Sequence, residues 1–160
     1  MEKFIKDLKK GEAGEGVVAN FLQTKGFKII SFNKDINYDI VVEKNNKLYR
    51  VEVKTDEWEF YNKKITNNMF IEVSCSNKPS GIVASKCDIF VYYFPHYNLV
   101  YMIKKKKLLE ILLICGERKA FSGDGGRVVG YTINRLEYGH YFNIYDISLR
   151  SVNLKKLGIK

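Results

Sequence analysis

The sequence predicts an α/β domain, a central β-sheet flanked by helices, from three observations. Apolar residues recur at helical spacing from Phe4 to Lys25. Runs rich in β-branched and aromatic residues follow near 27–32, 37–43, 47–54, 68–74 and 88–94. A second helical pattern then covers about 105–115. Along the first helix, expected over 2–25, Phe4, Leu8, Gly11, Glu15, Val18 and Leu22 fall on one stripe. Glu15 is thus a carboxylate on an apolar face, which is costly unless it is paired or bound to a metal. Glu12 falls at the edge of the stripe and reads as solvated. The helix ends at Lys25-Gly26, where glycine can adopt the left-handed cap.

The next two strands carry the chemistry. Tyr38-Asp39-Ile40-Val41-Val42 and Leu48-Tyr49-Arg50-Val51-Glu52-Val53-Lys54 are joined by a turn at Asn45-Asn46. Side chains alternate along a strand, so Arg50, Glu52 and Lys54 share one face. Asp39, on the neighbouring strand, can point to the same side as Glu52. Two carboxylates this close repel unless a cation lies between them. A lysine beside them can touch a phosphate or an activated water, which is the equipment for metal-assisted phosphodiester hydrolysis. The alternative is that Glu52 and Lys54 lie on the wet side of a half-exposed hairpin.

Gly11-Glu12-Ala13-Gly14-Glu15 on a helix ending in Gly26-Phe27, then Asp39, then Glu52-Val53-Lys54, resemble the PD-(D/E)XK nuclease superfamily. The helix-to-strand spacing is similar to that of archaeal-type Holliday junction resolvases. The stretches Asn68 to Glu72, Lys78 to Ile82 and Ser85 to Asp88 resemble small, mostly phage-encoded members. The resemblance covers about residues 10–95, and Tyr38 stands where the family name implies proline. It implies a restriction-endonuclease-like core, a mixed central β-sheet flanked by helices, in a single nuclease domain spanning 1–160 that residues 96–160 complete. It also implies that Asp39, Glu52 and the Val53 carbonyl hold Mg²⁺ or Mn²⁺, and that Lys54 orients or helps deprotonate the attacking water. Glu15, eleven residues before the Gly-Phe step, would complete the site through water or a second ion. Glu72, Lys86 and Asp88 are weaker candidates: Glu72 could border the cleft, and Asp88 could equally be a turn or cap residue.

Composition bounds the partners. The 160 residues carry 27 Lys and Arg against 18 Asp and Glu, a formal net charge of +9, which points to a polyanion. Basic residues beside 22 aromatics would suit backbone contacts and base stacking. The run Lys104-Lys105-Lys106-Lys107 reads either as a phosphate-contacting patch or as a solvated helix start. No apolar run reaches the roughly 18 residues that span a membrane, and the N-terminus lacks the apolar core of a signal peptide. Cys75, Cys87 and Cys115 form neither a C-x-x-C pair nor an even set, so they read as core or strand residues in a reducing cytosol. With only His96 and His140, a histidine-rich metal site is disfavoured. The abundance of Lys, Asn and Ile fits an AT-rich genome such as that of a phage.

The rest of the chain is less patterned. Residues 56–67, with Trp58, Phe60 and Tyr61, read as either a mobile flap or a packed loop. A strand is expected near 98–103, and short elements at 128–133 and 141–145. Ser122-Gly123-Asp124-Gly125-Gly126 lacks the spacing of a phosphate-binding loop and reads as a flexible connection between strands. The last ten residues read as a loose basic end. The resulting expectation is a metal-dependent endonuclease in the cytoplasm, the host's if phage-encoded. DNA is favoured over RNA, branched DNA such as a Holliday junction is the most specific guess, and a homodimer is implied by the resemblance. Left open are a restriction-like or RNA-directed nuclease and a non-catalytic nucleic-acid-binding protein that keeps the fold.

Overall fold

The helix read from the 3.6-residue period is α1 (Glu2–Thr24) in the computed structural model, which describes residues 2–33, 37–123 and 126–148, with side chains from residue 11 and residue 123 apart. Phe4 and Leu8 therefore lie outside the described side chains. Gly26 ends the helix at a φ of 82°, and the Phe27 N–H returns to the Leu22 carbonyl at 3.1 Å.

Three strands follow as an antiparallel meander: β1 (Lys28–Phe32), β2 (Ile40–Lys44) and β3 (Lys47–Thr55). The β2–β3 turn places Asn45 and Asn46 at positive φ, which asparagine tolerates. The chain then passes through α2 (Trp58–Asn62), β4 (Asn68–Cys75), β5 (Lys78–Pro79) and α3 (Gly81–Ala84). It returns as β6 (Ile89–Phe94), which pairs parallel to β3, and continues into β7 (Leu99–Lys104) and α4 (Lys105–Cys115). β8 (Glu117–Gly123), β9 (Gly126–Asn134), α5 (Arg135–Tyr138) and β10 (Asn143–Asp146) complete the described strands and α-helices.

Two sheets result. The six-stranded sheet runs β1-β2-β3-β6-β7-β10 and is mixed through the β3–β6 pair. A four-stranded antiparallel sheet runs β5-β4-β9-β8. The strand at 68–74 is therefore not beside the cleft in the central sheet. It founds the second sheet, because its register is satisfied by β9, more than fifty residues onward, a pairing that no local pattern announces.

β6 is the hub, with Ile89-Phe90-Val91-Tyr92-Tyr93-Phe94 buried throughout, as expected of a central strand covered on both faces. Val91 and Tyr93 pack with Val18, Phe21 and Leu22 of α1, and with Ile40, Val42 and Val51. Phe90, Tyr92 and Phe94 face the other way, towards Met69 and Ile71 of β4, Ile133 of β9, and Leu108 and Ile111 of α4.

Three other expectations meet the structure here. Residues 56–67 are anchored through α2, which buries Glu59, while Trp58, Phe60 and Tyr61 stand half exposed. Cys87 is buried and Cys75 sits in β4, whereas Cys115 closes a helix. The glycine-rich stretch falls at the β8–β9 hairpin, although residues 124–125 and the basic end lie outside the described residues.

Candidate active site

The site is built where β2 leaves β3. Ile40 pairs with Val51, but the chain diverges at Asp39, so the last residues of β3 lose their neighbour on that side. The Val53 N–H, deprived of a ladder partner, donates to Asp39 Oδ2 at 2.6 Å. Asp39 and Glu52 would be the next cross-strand pair, and such residues share a face. Lys54 follows two residues on from Glu52 and is exposed.

Glu52 is held from the opposite direction. Ser85, 2% exposed, lies just after α3, and its hydroxyl donates to Glu52 Oε2 at 2.9 Å. The Ser85 hydroxyl oxygen accepts the Cys87 N–H at 3.2 Å. The Ser85 carbonyl in turn accepts from the Lys105 ammonium. Lys105 is thus turned inward and Lys107 pairs with Glu110, so the lysine run is not a uniform phosphate patch.

Glu15 reaches this edge from α1. Gly14 makes the approach possible: a Cβ there would overlap the Thr55 side chain, so glycine lets α1 lie against the end of β3. Glu15 is half-buried and Glu12 exposed, as the apolar stripe predicts.

The electrostatics describe a site short of positive charge. Burial, then Asp39, then Glu12 push the Glu15 carboxyl up to about 7. Burial and Asp39 push Glu52 up to about 7, with a smaller contribution from Glu15, against the lowering effects of Ser85 and Lys54. Burial raises Asp39 as well, against the Val53 hydrogen bond. Among the described residues no three His, Cys, Asp or Glu side chains are gathered as a finished ion cage. The donor set nonetheless fits a hard divalent cation, because every donor is an oxygen and the carboxylates are mutually destabilised.

A cleft of about 460 Å³ opens beside Lys54 and Val53, bordered by Gly11, Thr55, Glu57 and Trp58. The weaker candidates stand apart from it. Glu72 accepts the Ser80 hydroxyl at 2.5 Å and secures the turn into α3. Asp88 forms a two-pronged pair with Arg50, at 3.1 Å for each prong, and also accepts the Arg50 N–H. Arg50 and Asp88 thereby fasten the start of β6 to β3. Exposed Lys86 contributes its N–H to the Asn37 carbonyl.

Ser85, and with it Asn37 as a second acceptor of its hydroxyl, was not legible as a site residue, because Glu52 and Ser85 are 33 positions apart. Buried Glu59 was missed likewise. It forms a fork with Arg135 at 3.2 and 3.1 Å, accepts Thr66 and Asn67 N–H groups, and accepts the Tyr97 hydroxyl at 2.8 Å. That network docks α2 beside the cleft.

The chain matches the PD-(D/E)XK endonuclease family model over residues 5–112. Among solved structures, a bacterial homing endonuclease, I-Ssp6803I, is similar, with 17% identity, 63% of this chain and 70% of that chain covered, and a TM-score of 0.48. No curated protein matches the chain. The family match spans α1, the β1–β3 meander, the return through β6 and most of α4, and so takes in the whole carboxylate edge. This protein belongs to the PD-(D/E)XK endonuclease family.

Proposed function

We propose that this nuclease is a metal-dependent endodeoxyribonuclease, and that branched DNA such as a four-way junction is its favoured substrate. The supporting observation is the meeting of Glu15, Asp39 and Glu52 beside Lys54 at the open end of β3. Three carboxylates aimed at a phosphate would repel it, so they have a use only if a cation intervenes. Asp39, Glu52 and the Val53 carbonyl would hold Mg²⁺ or Mn²⁺, with Glu15 reaching it through water. Bound there, the ion supplies charge stabilisation to the phosphate and acidifies water.

The chain's own groups do the positioning. The Val53 N–H fixes one Asp39 oxygen, and the Ser85 hydroxyl fixes one Glu52 oxygen. Lys54, on the open end of β3, contacts the phosphate and orients the attacking water. Cutting two strands takes two such sites, so the working form is a homodimer of single-domain chains, acting in the cytoplasm. No helix among the described residues is long and apolar enough to cross a membrane.

Labelled linear duplex, single-stranded and four-way-junction DNA, together with RNA, incubated with Mg²⁺, Mn²⁺, Ca²⁺ or chelator, tests the reading. Cleavage of DNA, junctions foremost, is expected with Mg²⁺ or Mn²⁺, and binding with little cleavage in Ca²⁺. Full activity in excess chelator overturns the metal assignment. Tight binding without cutting in either metal replaces the enzyme with a nucleic-acid-binding protein.

A further inference from the structure

A second cavity, of about 740 Å³, lies between the end of β3 and the four-stranded sheet. It shares Lys54, Thr55 and Trp58 with the smaller cleft, so the two are continuous around the lysine. Its size falls within the roughly 300–1,000 Å³ typical of small-ligand sites. Four aromatic side chains line it, beside polar ones that include Glu59, Lys64 and Thr66. Trp58 and Phe121 line it while 50% and 55% exposed, and the Phe70 ring stands edge-on to Phe121 at 5.4 Å.

The floor is fixed in advance. Fully buried Tyr92 donates its hydroxyl to Asp56 and accepts the Phe70 N–H at 3.2 Å. The other Asp56 oxygen accepts the Trp58 N–H at 2.7 Å, which ties the tryptophan backbone to the same floor. The Asn68 carboxamide on the wall offers both donor and acceptor, and Lys119 joins Lys54 in the lining.

Within a duplex both faces of a base are covered by its neighbours, and only its edges are open to a protein. A recess walled by rings offers stacking surface instead, which a base can use only after leaving the helical stack. We propose that this cavity receives an unpaired nucleobase of the DNA, so that among branched substrates those with an extrahelical or single-stranded nucleotide beside the scissile phosphate are preferred. Lys54 would hold a flanking phosphate, while Lys119 is paired with Glu117 at the rim. Stacking accepts any base, so the site selects structure and not sequence. This inference rests on the nuclease reading above for the strand at Lys54.

Three duplexes that differ at one position test it: fully paired, a one-nucleotide bulge bearing 2-aminopurine, and the same bulge made abasic. Binding is measured in Ca²⁺ and cleavage in Mg²⁺ and Mn²⁺. The base-bearing bulge should bind roughly tenfold tighter than the abasic one, with a change in 2-aminopurine fluorescence. Phe121→Ala and Trp58→Ala, each checked for fold by circular dichroism, should compress that ratio below about threefold, and Phe121→Tyr should restore it. Equal affinity for the two bulges overturns the proposal, as does a ratio unchanged in both alanine variants. If neither alanine variant folds, the wild-type ratio decides. Cutting without base discrimination sinks the base site alone, whereas discrimination without cutting in either metal sinks the nuclease reading and leaves the base site standing.

Discussion

At Glu15 and Glu52 the fold holds carboxyls whose pKa values are pushed up to about 7, so near neutrality each is poised between its charged and neutral forms. A bound cation would offset that shift by favouring the charged forms, which makes each residue's contribution measurable. Glu15→Gln should slow single-turnover cleavage by about tenfold or more, equivalent to about 1.4 kcal/mol of transition-state stabilisation. Exposed Glu12→Gln should be nearly silent, and the reverse pattern would show that the helix presents the wrong face to the site. Asp39→Asn and Glu52→Gln should each abolish cleavage while leaving metal-free DNA affinity equal or higher. The stability signature has a definite sign. A carboxyl raised in the folded state costs stability progressively as pH rises from about 4.5 to 7. Metal-free Glu52→Gln should therefore be at least as thermostable as the wild type at pH 8 and lose that advantage at pH 5. A variant markedly less stable at pH 8 would mean that the Ser85 hydrogen bond outweighs the repulsion.

Among the elements, α2 depends on one buried ion pair. Burial alone would raise Glu59, yet hydrogen bonds from Arg135, the Thr66 and Asn67 N–H groups and the Tyr97 hydroxyl lower it to about 2. A depressed carboxylate contributes stability above its unfolded value near 4.5, and loses it as pH falls through about 2. Thermal unfolding of the wild type should show a steep loss across that window, and Glu59→Gln should flatten it. Removing one partner, by Arg135→Met, should cost about 3–5 kcal/mol in chemical denaturation, because the Glu59 charge is left buried without its counter-ion. A loss below 1 kcal/mol would place water beside Glu59. The same pair shows where sequence reading stops. α1, β3, β6, β7 and α4 were legible, with bounds within a residue or two, because each carries its own period and punctuation. Glu59 and Arg135 are 76 positions apart, and β4 meets β9 at a similar remove, so neither α2's anchor nor the second sheet leaves a local trace. Asp39, Glu52 and Lys54 were legible because a hairpin register is local, whereas Ser85 arrives by a crossover.

For the whole molecule, the charge of +9 predicts that DNA binding is driven largely by counterion release. Affinity should fall by about tenfold or more between 50 and 200 mM salt in the wild type and in the carboxylate variants alike. A flat profile would assign the lysines to solubility alone. The parallel β3–β6 pair has a further consequence for how activity arises in time. The α1-to-β3 segment can condense locally as it leaves the ribosome, but β6 cannot dock until everything from residue 56 to 88 has been synthesised and folded back. Ser85 travels at the end of that segment, so Glu52 gains its buried hydrogen bond only on closure. A nascent chain holding α1 to β3 alone keeps its carboxylates in water. Cleavage is therefore expected only once the last strand of the crossover is in place, so that hydrolytic capacity would arise with the native state rather than ahead of it.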